Sequence, residues 1–133
     1  MSAKLNHIAI VVEDIEEALE VYREAIGLHL ENVTEEAAEA VRVAYLSTAT
    51  GEIELIQPTT ADSGVAKYLA KKGEGLHHIC LEVDDISATT RQLTERGLQV
   101  LGEVRTNQRG DKYIFIHPKS AHGVLIELYE AAA

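Results

Sequence analysis

The chain states one pattern twice. Leu5-Asn6-His7-Ile8-Ala9-Ile10-Val11-Val12-Glu13-Asp14-Ile15 returns as Leu76-His77-His78-Ile79-Cys80-Leu81-Glu82-Val83-Asp84-Asp85-Ile86, so that His78 stands where His7 stood. The echo continues through Gly27-Leu28 and Gly97-Leu98, and each half closes on a Glu-Leu pair, Glu54-Leu55 and Glu127-Leu128. Each half therefore supplies one imidazole near its start and one carboxylate near its end. Halves packed about a pseudo-twofold axis would bring four such side chains to one point, which is the ligand set a divalent metal requires.

With 133 residues and 46% hydrophobic content, the chain can bury one core, whereas each repeat alone would be marginal. The expectation is a single domain over residues 1–133, with module one at 5–58, a structured linker with a short helix at 59–75, and module two at 76–130. No apolar run approaches the roughly 18 residues needed to span a bilayer, and Met1-Ser2-Ala3-Lys4 leads straight into a strand with no secretory signal. The single cysteine, Cys80, cannot form an internal disulfide and fits a reducing compartment. A cytoplasmic protein is expected.

A formal charge of −10 argues against nucleic acid or an anionic membrane as a partner. A small anionic ligand remains compatible, through Lys67, Lys71 and Lys72 in one segment and Arg109, Lys112 and Lys119 in another.

Residues 5–12 alternate and are rich in β-branched side chains, which reads as a strand with His7, Ala9 and Val11 on one face and Ile8, Ile10 and Val12 on the other. Asp14 then caps a helix in a capping box with Glu17. Ile15, Ala18, Leu19, Tyr22, Ala25 and Ile26 form its apolar stripe, and Gly27 ends it. That helix should pack on the Ile8-Ile10-Val12 face. Strands follow at 28–33, 41–47 and 52–57.

The second half repeats the order: a strand from Leu76, a helix from Asp85 to Gly97 with Ile86, Thr89 and Leu93 inward, and strands at 99–105, 112–117 and 123–128. The linker helix lies at 65–72 with Val65, Tyr68 and Leu69 inward. The fold class expected is α+β, two βαβββ modules in tandem forming a curved mixed sheet around a metal-binding cleft. Glu52, Val43, Tyr45, Leu125 and Tyr129 are candidate cleft walls.

A carboxylate inside an apolar strand, such as Glu127 in Gly123-Val-Leu-Ile-Glu-Leu128, costs several kcal/mol to bury unless paired or coordinated. Both halves accept that cost at the same position. Two imidazoles and two carboxylates around a dication sum to a neutral site and leave two positions open on a six-coordinate metal. His7, Glu54, His78 and Glu127 are the candidate ligands. Co2+, Mn2+, Ni2+, Mg2+ and Zn2+ all suit such a set. Cys80 is equivalent to Ala9 and reads as a small buried hydrophobe. His77 points away from His78, and His117 and His122 lack repeat support.

On these residues the chain resembles the vicinal oxygen chelate superfamily, which pairs two βαβββ modules around a metal held by His and Glu from both. Glu54-Leu-Ile-Gln-Pro58, Val65-Ala-Lys-Tyr-Leu-Ala-Lys71, Gly75-Leu-His-His-Ile-Cys80 and His117-Pro-Lys-Ser120 are similar in particular to its methylmalonyl-CoA epimerase family. The resemblance implies metal ligands His7, Glu54, His78 and Glu127. It further implies an acyl-CoA substrate and exchange of (R) and (S) methylmalonyl-CoA by 1,1-proton transfer through a metal-stabilised enolate.

A homodimer is implied as well. Glu127 is implied as one catalytic acid/base. The other glutamate of some family members would align at Val43, with Glu36 and Glu39 just upstream in a loosely aligned stretch, which leaves Glu54 or a metal-bound water as substitutes. CoA contacts are implied for the linker lysines and Lys119. A lactoylglutathione lyase of the glyoxalase I type would use the same ligands. An extradiol dioxygenase fits less well, because it needs two His and one carboxylate, and a non-catalytic small-molecule binder would tend to lose the ligands that are all present here.

Overall fold

The computed structural model describes residues 3–133. It is an α+β fold of two βαβββ modules, and it forms two compact units, residues 7–77 and residues 78–133 together with residues 3–6.

In the 7–77 unit, β1 (Lys4–Val11) is followed by α1 (Ile15–Leu19), β2 (His29–Glu36), β3 (Val41–Ser47), β4 (Glu52–Pro58) and the linker helix α2 (Gly64–Lys72). The strands run in the order β2-β3-β4-β1, with β1 parallel to β4 and the remaining pairs antiparallel. The crossover through α1 is what makes the β1–β4 pair parallel.

Register sorts the side chains by face. Ile10 lies beside Leu55 and Leu55 beside Ala44, and this face closes on the helix in a core of Val12, Ile15, Leu19, Ala44, Leu46 and Leu55. The opposite face carries His7, Ala9 and Val11, with Ala9 beside Glu54 and Glu54 beside Tyr45. There Ala9, Val41, Val43 and Ile56 form a second cluster, with Tyr45 and Val65 packed against it. The alternation read from the sequence is the alternation seen.

The first helix departs from expectation. Asp14 caps it, but its side chain accepts from the Glu16 backbone N–H rather than completing a box with Glu17. After Leu19 the chain widens into a π-helical turn over Glu20–Ala25, closed by Ile26 N–H donating to Val21 C=O. The wider turn rotates later positions off the stripe. Ile26 is 60% exposed, and only Ile15 and Leu19 of the stripe are fully buried. Gly27 follows at φ +92°, a backbone conformation that favours glycine.

The second unit holds the same order with β5 (Gly75–Glu82), α3 (Ile86–Glu95), β6 (Val100–Thr106), β7 (Lys112–Ile116) and β8 (Ile126–Glu130), paired as β5-β8-β7-β6. Asp85 caps α3 by accepting from Ala88 N–H. The core is Val83, Ile86, Ile114, Ile116 and Leu128, with Leu93 against it. The last strand starts later than the apolar run suggests, because His122 (φ 56°) and Gly123 (φ 95°) reverse the backbone first.

A buried carboxylate pins the loop before β7. Asp111 is 6% exposed and accepts from Ala132 N–H at 2.9 Å and Asn107 Nδ2 at 3.2 Å. The Tyr129 hydroxyl, then the Ala132 amide, hold its carboxyl below the usual aspartate range. Asp111→Ala should therefore lower unfolding free energy by about 2–3 kcal/mol near neutral pH, since it orphans buried donors. A depressed folded-state value means the contribution is complete above the unfolded value of about 3.9 and fades as pH falls through the folded one. Urea unfolding of both proteins at neutral pH and below pH ~4 checks this, with the difference shrinking at acid pH.

Candidate functional site

Each module builds one imidazole–carboxylate pair. In the 7–77 unit, β1 presents His7 and β4 presents Glu54 on the face opposite the helix, with His7 Nδ1 at 3.0 Å from Glu54 Oε2. In the second unit, β5 presents His78 and β8 presents Glu127, with His78 Nε2 at 3.0 Å from Glu127 Oε1. The side chains are 7% and 14% exposed in the first pair, and 7% and 13% in the second. The duplicated sequence thus gives the same distance and the same burial, although His7 turns Nδ1 and His78 turns Nε2 to its carboxylate.

The local reason is register. Parallel pairing sets Ala9 beside Glu54 and Cys80 beside Glu127, and side chains two residues apart on a strand share a face. His7 and His78, two residues before Ala9 and Cys80, therefore lean towards the carboxylate of the neighbouring strand.

The surroundings of the two pairs differ. Phe115 lies beside Glu127 in register and meets the His78 ring edge-on at 5.4 Å, with Tyr113 beyond it. At the equivalent place in the 7–77 unit stands Tyr45, beside Glu54. Its hydroxyl donates to Glu36 Oε1 at 3.3 Å. Burial pushes the Tyr45 phenol up to about 12; the Thr34 hydroxyl opposes that, while the Glu54 and Glu36 carboxylates add to it. It stays protonated at neutral pH and so acts as a donor.

Several residues singled out in the sequence resolve clearly. Val43 is 4% exposed within the apolar cluster, so no acid stands there. Glu39 is exposed in the turn between β2 and β3, whereas Glu36 is half-buried and engaged by Tyr45. Sequence reading missed the Tyr45–Glu36 contact; the residues sit nine apart across a hairpin, a signal visible once β2 is known to run to Glu36.

Cys80 is fully buried. His77 meets Tyr68 of the linker helix edge-on at 4.7 Å. His117 caps a 3-10 turn over Pro118–Ala121 by accepting from Lys119 N–H at 3.0 Å, and Ser120 Oγ accepts from Gln99 N–H. That stretch thus braces β6 as well as exposing Lys119. Arg109 and Lys112 are engaged by Asp111 and Glu130, while Lys67, Lys71 and Lys72 are exposed on α2.

An open cleft lined by Ile10, Val12, Asp14, Tyr22 and Glu74 lies on the helix-covered side of β1, away from the His7 face. Its charged lining is acidic throughout, which suits no anionic ligand. Among the described residues, no helix is long and apolar enough to cross a membrane.

Residues 6–115 match the family model described as the glyoxalase/bleomycin resistance protein/dioxygenase superfamily. The mitochondrial methylmalonyl-CoA epimerase of Homo sapiens is 37% identical over 130 residues, covering 96% of this chain and 74% of that one. The ethylmalonyl-CoA/methylmalonyl-CoA epimerase of Cereibacter sphaeroides is 38% identical over 131 residues, covering 96% and 98%. A solved methylmalonyl-CoA epimerase in complex with methylmalonyl-CoA and NH4+ is 35% identical and superposes with a TM-score of 0.89, covering 100% of this chain and 97% of that one.

Proposed function

The chain belongs to the glyoxalase/bleomycin resistance protein/dioxygenase superfamily, and from that premise we propose that it is a metal-dependent epimerase that interconverts (R)- and (S)-methylmalonyl-CoA by 1,1-proton transfer. The observation that carries this reading is the imidazole–carboxylate pair repeated at 3.0 Å in both modules, taken with likeness to methylmalonyl-CoA epimerases over 96–100% of this chain.

The donor set fits a divalent metal. Four side chains, none more than 14% exposed, offer two nitrogen and two oxygen donors of the type that Co2+, Mn2+, Ni2+, Mg2+ and Zn2+ accept. A dication would also cancel two buried carboxylate charges that are otherwise costly. His7, Glu54, His78 and Glu127 would hold it, with Co2+ our first choice. When bound, the metal supplies positive charge for the oxygens on which the substrate's negative charge develops.

The chain's own work is proton movement. The carbon between carboxylate and thioester is a weak acid, and Glu127, on the inner face of β8, gives or takes its proton. The exposed lysines of α2 (Lys67, Lys71, Lys72) and Lys119 are cations for the CoA phosphates. The same reading places the enzyme in the cytoplasm and as a homodimer, an assembly for which the exposed Leu5, Val21, Ile26 and Leu76 supply apolar surface.

The decisive assay offers the purified enzyme, supplemented with Co2+, each epimer of methylmalonyl-CoA in D2O, and separately the methylglyoxal–glutathione adduct. Inversion with deuterium incorporation at the α-carbon is expected. Turnover of the glutathione adduct alone would move the assignment to a lactoylglutathione lyase, and binding without turnover of either would make the protein a sequestering one.

A further inference from the structure

We propose that Glu36, positioned by the Tyr45 hydroxyl, is the second proton carrier of the epimerisation and works with Glu127; this rests on the epimerase reading above. Inversion at carbon by proton transfer needs a group on each face of the planar carbanion. A single base returns the proton to the side from which it came, and the configuration is kept. With Glu127 as one carrier, a second carboxylate has to serve the opposite face of the carbanion.

The inner face of the 7–77 unit offers few candidates. His7 and Glu54 are committed to each other at 3.0 Å and serve as metal ligands in the reading above. Ala9, Val41, Val43 and Ile56 are apolar and buried. Glu52 is also half-buried on this face, beside His7 in register, but among the described residues no side-chain donor holds it as Tyr45 holds Glu36.

Glu36 closes β2 opposite Val41, with Thr34 opposite Val43. Its side chain thus shares the face of the Val41–Val43 floor, and Tyr45 reaches along the same face to donate to Glu36 Oε1 at 3.3 Å. That hydrogen bond draws the carboxylate back from the hairpin tip towards the strand that neighbours Glu54. Glu36 is the one carboxylate of this face that is half-buried, held from the side by a neutral donor, and not already paired with an imidazole.

The proton count closes. In one direction the Glu36 carboxylate takes the α-proton, and the C–H electron pair moves into the thioester enolate. The Glu127 carboxylic acid then delivers its proton to the other face, and the enolate electrons form the new C–H bond. Glu36 ends protonated and Glu127 ionised; proton exchange of both groups with water resets them for the next turnover in the same direction, and the reverse reaction resets them directly.

The test compares wild type, Glu36→Gln, Glu36→Asp, Tyr45→Phe and Glu39→Gln. Each is given the two epimers separately in D2O, following both inversion and deuterium appearing in the unconverted epimer. Glu36→Gln should lose inversion by about 10²–10⁴-fold with KM within about threefold of wild type. It should still wash deuterium into one epimer, the one whose proton faces Glu127. Glu36→Asp should recover part of the inversion, which a misfolded variant would not.

Tyr45→Phe should lower kcat about tenfold while leaving KM and the melting temperature in place, as a positioning role requires, and Glu39→Gln should match wild type. Glu36→Gln that inverts within threefold of wild type, or that loses exchange in both epimers alike, overturns the assignment of Glu36 while leaving the epimerase intact. A wild type that inverts neither epimer overturns the function itself.

Discussion

Glu127→Gln should reduce epimerisation by at least about 10³-fold, while Glu54→Gln should keep activity within about tenfold of wild type. The two carboxylates are matched in distance and burial, each 3.0 Å from its histidine and 13–14% exposed, so the volume-preserving amide is the same perturbation at both positions. A glutamine side chain keeps the volume and an amide oxygen, which can still face a metal or an imidazole. It cannot carry a proton. If Glu54 serves only as a ligand, the amide is an adequate substitute, because one neutral oxygen donor replaces another at some loss of charge neutralisation.

If Glu127 moves the substrate's proton, the amide removes the general acid/base contribution, about 10²–10⁴ by itself, and weakens the metal site in addition. Steady-state kcat with metal content measured on the same samples separates the two. Equal losses in the two variants would mean that both glutamates are merely ligands, and Glu127→Gln with near wild-type turnover would remove it from the chemistry.

The repeat made most of this architecture legible. His7, Ala9 and Val11 alternate with Ile8, Ile10 and Val12, and a period of two leaves only one way to divide a strand between helix and inner face. The division held because Ile15 and Leu19 bury against Val12, Ala44 and Leu55. The His and Glu positions were legible for the same reason, since a polar residue recurring inside two apolar strands has few explanations.

What escaped was set by local backbone chemistry rather than by pattern. The widened turn at Glu20–Ala25 depends on a Val21 carbonyl taking its proton from Ile26. Apolar periodicity cannot tell a turn of 3.6 residues from a wider one over six residues. The tilt of the stripe, and with it the exposure of Ile26, was therefore invisible.

The Tyr45–Glu36 bond escaped because it joins residues across a hairpin whose end lay at Glu36 and not at Val33. The ion pairs of Arg109 with Asp111 and of Lys112 with Glu130 were not legible either, because they are fixed by loop and strand pairing that charge counting does not see.

Stripping the protein with a chelator should abolish epimerisation and lower its melting temperature by about 10 °C at metal concentrations about a hundredfold above Kd, with both restored by Co2+ or Mn2+. A ligand that binds only the folded state at that excess stabilises it by about 2.7 kcal/mol. In a domain of this size each kcal/mol moves Tm by roughly 3–5 °C. The sign follows from the buried charge. Without a dication, the carboxylates of Glu54 and Glu127, each no more than 14% exposed, must be carried by hydrogen bonds alone.

His7→Ala makes the melting readout specific. It leaves the His78–Glu127 pair whole but removes one of the four donors, so the protein should still fold and its metal-dependent rise in Tm should shrink by more than half. A chelated protein that melts and turns over like the untreated one would eliminate the metal. A His7→Ala variant with an undiminished rise would place the binding elsewhere on the molecule, most simply among the surface carboxylates of a chain with a net charge of −10.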